Sequence, residues 1–384
     1  MKFNKSLLAA ALGLSMAVSV QAFDEIYLTG STAMRATIYS VLSAAGPVFS
    51  SAPVITGYGG KGNGDNYMAF YGTLNGNSSP SVINCYWSGS EAGIQAVASN
   101  SIPAFYQTFM ADSLVQTSSS VDNSASTPPS TQTQPAMLAM ADNAQSFSRT
   151  TKPKLTGKEV GIITFKWVRN PGLWTGTNVT DSEIIQALNG GAVRSVFTGV
   201  AGQSDFVYVS GRDSSSGTRA NAFGDSGFGI LSTPQQIELS GGNMITIDAG
   251  GDYIGDAGFS SGGTLAGTLG SSTTASTDQV NGGTGFSVIA YLGVSDATTA
   301  ITAGATECAY DGVTFSSAAV EEGNYTFWGN EYVYQAPSGV SASAAIVYNG
   351  IVNNTATYCD GVKAIALTAM HCTRSGPTST PIHN

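Results

Sequence analysis

The chain has 384 residues, a length that suits two domains or lobes better than one core. Its 15 Lys and Arg stand against 25 Asp and Glu, a net charge of −10, which excludes nucleic acid as a partner because phosphate-backbone binding runs on clustered cations. The same balance leaves room for a small anion, since neutral dipoles and a single arginine can hold one while screening limits the global field to ~8 Å.

At the N-terminus, Lys2 and Lys5 precede an apolar run over residues 7–18, and Val20-Gln21-Ala22 suits cleavage before Phe23. Residues 1–22 therefore read as a signal peptide, and the mature protein is expected in the periplasm or outside the cell. No cysteine stands at the cleavage point to carry a lipid anchor, and no later apolar run approaches the ~20 residues that span a bilayer.

Residues 23–28 read as a strand, followed by the turn Thr29-Gly30-Ser31-Thr32 and a helix from Met34 to about Ala45. A second turn of the same kind, Ser88-Gly89-Ser90-Glu91-Ala92-Gly93, lies between a strand over 82–87 and an amphipathic stretch over 94–97. Residues 116–135 are rich in Ser, Thr, Gln and Pro and are expected to form a flexible surface loop. Residues 158–168 are a β-rich run. Thr180 and Glu183 then match a capping box that opens a helix through about Leu188.

The strand-like residues 206–209 lead into Arg212-Asp213-Ser214-Ser215-Ser216-Gly217-Thr218-Arg219, the most informative segment of the chain. A helix starting near Gly217 leaves its first N–H groups without internal partners, and with the positive end of the helix dipole they favour an oxyanion there. Arg212 adds a planar two-pronged donor, and Ser215, Ser216 and Thr218 add uncharged hydroxyl donors. An ordinary strand–turn–helix junction capped by Ser and Thr accounts equally well for this segment taken alone. Three such turns, each after a strand, fit the rule that open α/β sheets bind ligands at the carboxyl ends of their strands.

Residues 239–285 are dominated by Gly, Ser and Thr, which favours hairpins and loops over helices, and residues 285–292 restore a buried strand. Residues 373–384 read as a disordered tail. Trp87, Trp167, Trp174 and Trp328 are expected in the core or at a lobe interface. Cys85, Cys308, Cys359 and Cys372 are an even set in an oxidising compartment; three pairings are open, and Cys359 with Cys372 is favoured as a local clip. A metal site is disfavoured, because there is no C-x-x-C spacing and the two histidines, His371 and His383, both lie in the tail. Gly59-Gly60-Lys61-Gly62 is not a P-loop, since glycine follows the lysine, and no other cofactor motif is present.

Taken together, these motifs resemble the phosphate-binding proteins of phosphate ABC transporters. Gly30-Ser31-Thr32-Ala33 resembles the first turn of that family, Gly89 to Gly93 the second, and Arg212 to Thr218 its Arg-x-Asp-x-Ser-Gly-Thr segment. Ile289-Ala290-Tyr291 looks like the return strand, with alanine in place of glycine. The resemblance implies an α/β, two-lobe type II periplasmic-binding-protein fold with mixed central sheets, a hinge of crossing strands and Gly/Ser-rich β insertions. It divides the chain into a first lobe over 23–165, a second over 166–291 and a return to the first over 292–372, with crossings near 164–168 and 291–294.

Carried over by position, the ligand contacts would be Thr32, Ala33, Ser90, Asp142, Arg212, Ser216, Gly217 and Thr218. Ser214 stands where the family has an aspartate, with Asp213 one position earlier. The implied ligand is inorganic phosphate or a similar tetrahedral oxyanion, the implied partner an ABC permease, and the implied mechanism hinge closure without catalysis or cofactor. A carboxylate at Asp142 would accept the proton that phosphate keeps near neutral pH and would repel sulfate, which has none. Two other readings compete: a surface or adhesive scaffold on such a fold, and a serine hydrolase using Ser226 or Ser90. The hydrolase reading lacks a nearby base, because both histidines sit in the tail.

Overall fold

The computed structural model describes residues 23–60, 62–99, 106–123, 125, 127–240, 243–245, 258–280, 282 and 284–383; the proposed leader and part of the glycine-rich stretch lie outside them. The first part of the chain forms β1 (Asp24–Gly30), α1 (Arg35–Ser43), β2 (Val54–Tyr58), β3 (Tyr67–Thr73), β4 (Pro80–Tyr86) and α2 (Ser90–Ala98). Short strands β5 (Gln107–Met110), β6 (Val121–Asn123), β7 (Thr131–Gln134) and β8 (Leu138–Ala141) lead to the long β9 (Thr156–Arg169). Then come β10 (Asn178–Val179), α3 (Asp181–Leu188), β11 (Ala192–Val193), α4 (Arg194–Thr198), β12 (Phe206–Ser210) and α5 (Gly217–Asp225). The hairpin β13 (Glu238–Ser240) and β14 (Asn243–Ile245) precedes α6 (Gly262–Leu269), β15 (Ser287–Gly293), α7 (Val294–Thr302) and β16 (Thr306–Tyr310). The chain ends with α8 (Ser317–Glu321), β17 (Trp328–Gln335), α9 (Ala342–Tyr358), β18 (Ala364–Ile365), β19 (Cys372–Thr373) and β20 (Ile382–His383).

One strand ties two halves into a single 14-stranded sheet. The Thr156–Thr164 part of β9 pairs antiparallel with β17, and through it with β8, β1, β4, β3, β2 and β6. Its Phe165–Arg169 part pairs with β15 on one side and β16 on the other, continuing to β12 and β11. Parallel pairs β1–β4, β1–β8 and β12–β15 sit among antiparallel ones, so both halves are mixed. The turns that leave β1, β4, β8 and β12 all start at carboxyl ends, which is how four separated segments can meet. Trp167 and Trp328 are buried where β9 crosses, and Trp167 stacks on Phe327 at 5.4 Å.

Three local expectations differ from what the chain does. The return crossing was expected near 291–294, but β16 still pairs with the Phe165–Arg169 half of β9, and Trp328 is where β17 meets Thr164. Within the polar stretch 116–135, β6 adds to the edge of β2 and β7 pairs with β5, because a strand polar on both faces can still satisfy backbone groups at an edge. In the glycine-rich region α6 forms, since Ser261 accepts the Thr264 amide as a cap and Leu265, Ala266 and Leu269 bury together.

Two further expectations are corrected. The segment after Cys372 is packed rather than disordered: Arg374 is buried and β19 pairs with β20. Cys359 and Cys372 are not bridged, and all four cysteines are free thiols. Cys359 Sγ donates to Thr355 O within its own helix, whereas Cys372 Sγ faces Val320 O at 3.8 Å, so each thiol is held by a different element.

Candidate functional site

Two helix N-termini and one carboxylate meet where the lobes touch. β4 delivers the chain to Gly89, whose φ of +99° needs glycine, and α2 then starts at Ser90. The Gly89 amide donates to Gly30 O at 2.8 Å, and Gly93 lies against the Gly30 α-carbon, so the first and second turns pack directly on each other. β8 leads directly into Asp142, whose amide donates to Ser90 Oγ at 3.2 Å.

On the other side β12 leads to the Arg212 turn and α5, with Ser216 as N-cap accepting the Arg219 amide at 3.3 Å. The two sides are joined by Glu91 N donating to Ser215 O at 3.0 Å and by Asn221 Nδ2 donating to Asp142 O at 2.8 Å. A β-carbon on Gly217 would meet Ser90 Cβ at 2.6 Å, so Ser90, Asp142, Ser215 and Gly217 share one small volume.

The electrostatics of this volume are unusual. Asp142 is 2 % exposed, and its Oδ1 has no hydrogen-bond partner among the described residues. Burial pushes its carboxyl up to about 6, with the Ser90 hydroxyl and the Arg212 charge pulling the other way. Glu331, on β17, is fully buried; its Oε2 accepts from Ser31 Oγ at 3.1 Å and its Oε1 is unpartnered among the described residues. Burial, then the Asp142 charge, holds the Glu331 carboxyl well above the usual carboxylate range. Glu91 is also raised by burial, although Arg149 N, Asn143 and Ser148 hydrogen-bond it.

The arginines lie close by. Arg212 is 3 % exposed; its Nε donates to Phe259 O at 3.1 Å and its Nη2 to Ser260 O at 2.9 Å. Arg35, at the start of α1, donates to Asn66 Oδ1, and burial lowers its guanidinium while the Asp296 and Asp65 charges raise it and Arg212 lowers it further. A second guanidinium therefore stands within the field of the first.

Of the residues expected in the site, Ser90, Asp142 and Gly217 meet directly, and Ser216, Thr218 and Arg212 are buried beside them. Ser214 lines a small cavity with Glu91, Arg149, Ser216 and Arg219. Thr32 and Ala33 are half-buried; the hydroxyl drawn inward at that turn is Ser31, and among the described residues neither Thr32 nor Ala33 hydrogen-bonds the other turns. Glu331, Arg35 and Asn221 carry no motif; only the burial of a strand glutamate could have pointed to the first. Among the described residues Ser226 Oγ is buried without a hydrogen-bond partner, Ser90 Oγ accepts from Asp142 N, and neither hydroxyl is hydrogen-bonded to a histidine.

No family model matches the chain, and no curated protein matches it. Among solved structures it is similar to a Clostridium perfringens protein named as a phosphate ABC transporter substrate-binding protein with bound phosphate. That match has a TM-score of 0.51 and 12% identity, over 90% of this chain and 100% of the other. Weaker likenesses are to an ABC-type phosphate transport receptor from Vibrio cholerae, at TM-score 0.45 and 12% identity over 85% and 93%, and to PstS from Borrelia burgdorferi, at 0.43 and 12% over 89% and 98%. The fold rests on the first of these: the chain has the two-lobe type II periplasmic-binding-protein fold.

Proposed function

We propose that this chain is an exported solute-binding protein that captures a tetrahedral oxyanion, inorganic phosphate before others, between its lobes and delivers it to an ABC-type permease. The observation that carries this reading is Asp142 Oδ1, without a hydrogen-bond partner among the described residues and buried between the N-termini of α2 and α5 near Arg212. Two positive helix ends and a guanidinium favour negative charge at that point. An ionised carboxylate oxygen without a donor is costly there, and a ligand that brings its own proton satisfies it. Phosphate near neutral pH brings one.

In this reading the first lobe comprises 23–165 with the segment after the β16 turn, and the second lies between. Opening at β9 would admit the anion, and closure would place the Ser216–Thr218 turn and Arg212 over it. Residues 1–22 would direct export; among the described residues no helix is long and apolar enough to cross a membrane. The fold of the Clostridium perfringens structure, whose name includes bound phosphate, supports the reading.

Calorimetric titration with phosphate, sulfate and molybdate tests it. Heat with phosphate and a loss of ~2–5 kcal/mol of binding in Arg212→Ala are expected. No heat with any of the three removes the transport reading.

A further inference from the structure

The C-terminal segment crosses from one lobe to the other directly behind the candidate site. Arg374, with a side chain 1% exposed, donates from Nη1 to Asp225 Oδ1 at 2.8 Å. Asp225 is the last residue of α5, where the negative end of the helix dipole disfavours a carboxylate. Its presence there is accounted for by the arginine and by Thr326 Oγ1, which donates to Oδ2 at 3.0 Å. The same guanidinium donates to Trp328 O and lies 4.0 Å over the Trp328 ring. Trp328 pairs with Thr164 of β9, so one side chain fastens the helix after β12 to the sheet built on β1.

Neighbouring residues repeat the pattern. Gly376 packs on Phe147, which follows β8, whereas Pro377 packs on Gly224 of α5. The hairpin of β19 and β20 closes the segment on itself. Between it and the site lies a small cavity lined by Asp142, Asn221, Gly329, Arg374 and Pro377.

We propose that residues 372–383 form an interlobe strap, and that Arg374 is a positioning residue which, through Asp225, holds α5 and the Ser216–Gly217 turn at its other end against Asp142. Removing one partner of a buried pair leaves the other charge uncompensated, so the strap resists opening of the lobes. The proposal does not depend on which solute is bound.

The test uses the full, ligand-free chain and follows amide hydrogen exchange at Glu91, whose N–H donates across the lobes to Ser215 O. Arg374→Gln is expected to raise exchange at Glu91 by ~10-fold or more while amides of β1 and β9 keep their protection. Wild-type exchange at Glu91 in the folded variant overturns the proposal, and so does an equal rise throughout β1 and β9, which marks a general loss of stability. If Arg374→Gln does not fold, Asp225→Asn, which removes the other partner of the pair, decides in the same way: faster exchange confined to the interlobe amide supports the strap, and an unchanged rate refutes it. Because no anion is added, a failure of phosphate binding leaves this result readable.

Discussion

Gly217 and Asp142 face each other across the lobes so closely that a β-carbon on Gly217 would fall 1.4 Å from Asp142 Oδ1. No real contact is that short, so glycine at 217 is required by space and not by a special backbone angle. The pair also ties the anion-favouring end of α5 to a carboxylate oxygen that has no donor among the described residues.

Gly217→Ala should therefore hold the lobes apart. The expected outcome is loss of measurable anion binding by calorimetry together with ~1–3 kcal/mol of stability in urea unfolding, the usual cost of overpacking. An alanine variant with wild-type affinity would contradict the contact.

Asp142 gives a pH signature. Its folded carboxyl titrates at about 6 against an ordinary value of 3.8, so the native state keeps a proton that the unfolded chain has released. The stabilisation from that proton is full below the ordinary value and is lost as pH rises through about 6. Asp142→Asn removes the loss, and its advantage over wild type should grow between pH 4 and 7, up to roughly 3 kcal/mol. Melting series of both proteins check the sign; an advantage that shrinks with pH is the contrary result.

The same carboxylate should set selectivity. With Asp142 ionised, sulfate meets an oxygen with no proton between them, and phosphate does not. Asp142→Asn is expected to narrow the preference for phosphate over sulfate by ~10-fold or more, measured by competition at neutral pH. An unchanged ratio would mean that selectivity comes from elsewhere.

Glu331 behaves as a second buried acid. Its carboxyl is raised by burial and by Asp142, so its contribution to stability is present at acid pH and falls as pH climbs through its raised value. Glu331→Gln keeps the shape and removes the charge, and should gain on wild type at pH 8 relative to pH 5 in urea unfolding. Equal differences at both pH values would argue that Glu331 is ionised throughout.

The thiols offer a simpler check. All four cysteines are free, with Cys85 and Cys308 pushed up by burial, to about 12 for Cys308. Added reductant should leave the melting temperature unchanged, and the unfolded protein should alkylate at each cysteine without prior reduction. A drop in melting temperature with reductant would point to a disulfide.

Some of the local structure was legible because its parts are near neighbours in the chain. The Thr180 and Glu183 capping box forms as expected, and Ser216 caps α5 at the predicted turn, since a cap involves residues three apart. The helix α6 was missed because glycine content outweighed one serine cap and a short apolar face. Asp142 was found through a family resemblance across a long polar stretch; its partners Ser90 and Asn221 confirm only that it lies with the second and third turns.

By itself, the amino-acid order determined which turns follow strands and which hydroxyls cap the following helices, because those choices are made among near neighbours. The tertiary structure alone decided that Ser31 would find Glu331, 300 residues away, and that Arg374 would find Asp225. Such pairs follow from strand order and from the crossing of β9, and the cost of burying a charge makes them specific only once the sheets are assembled.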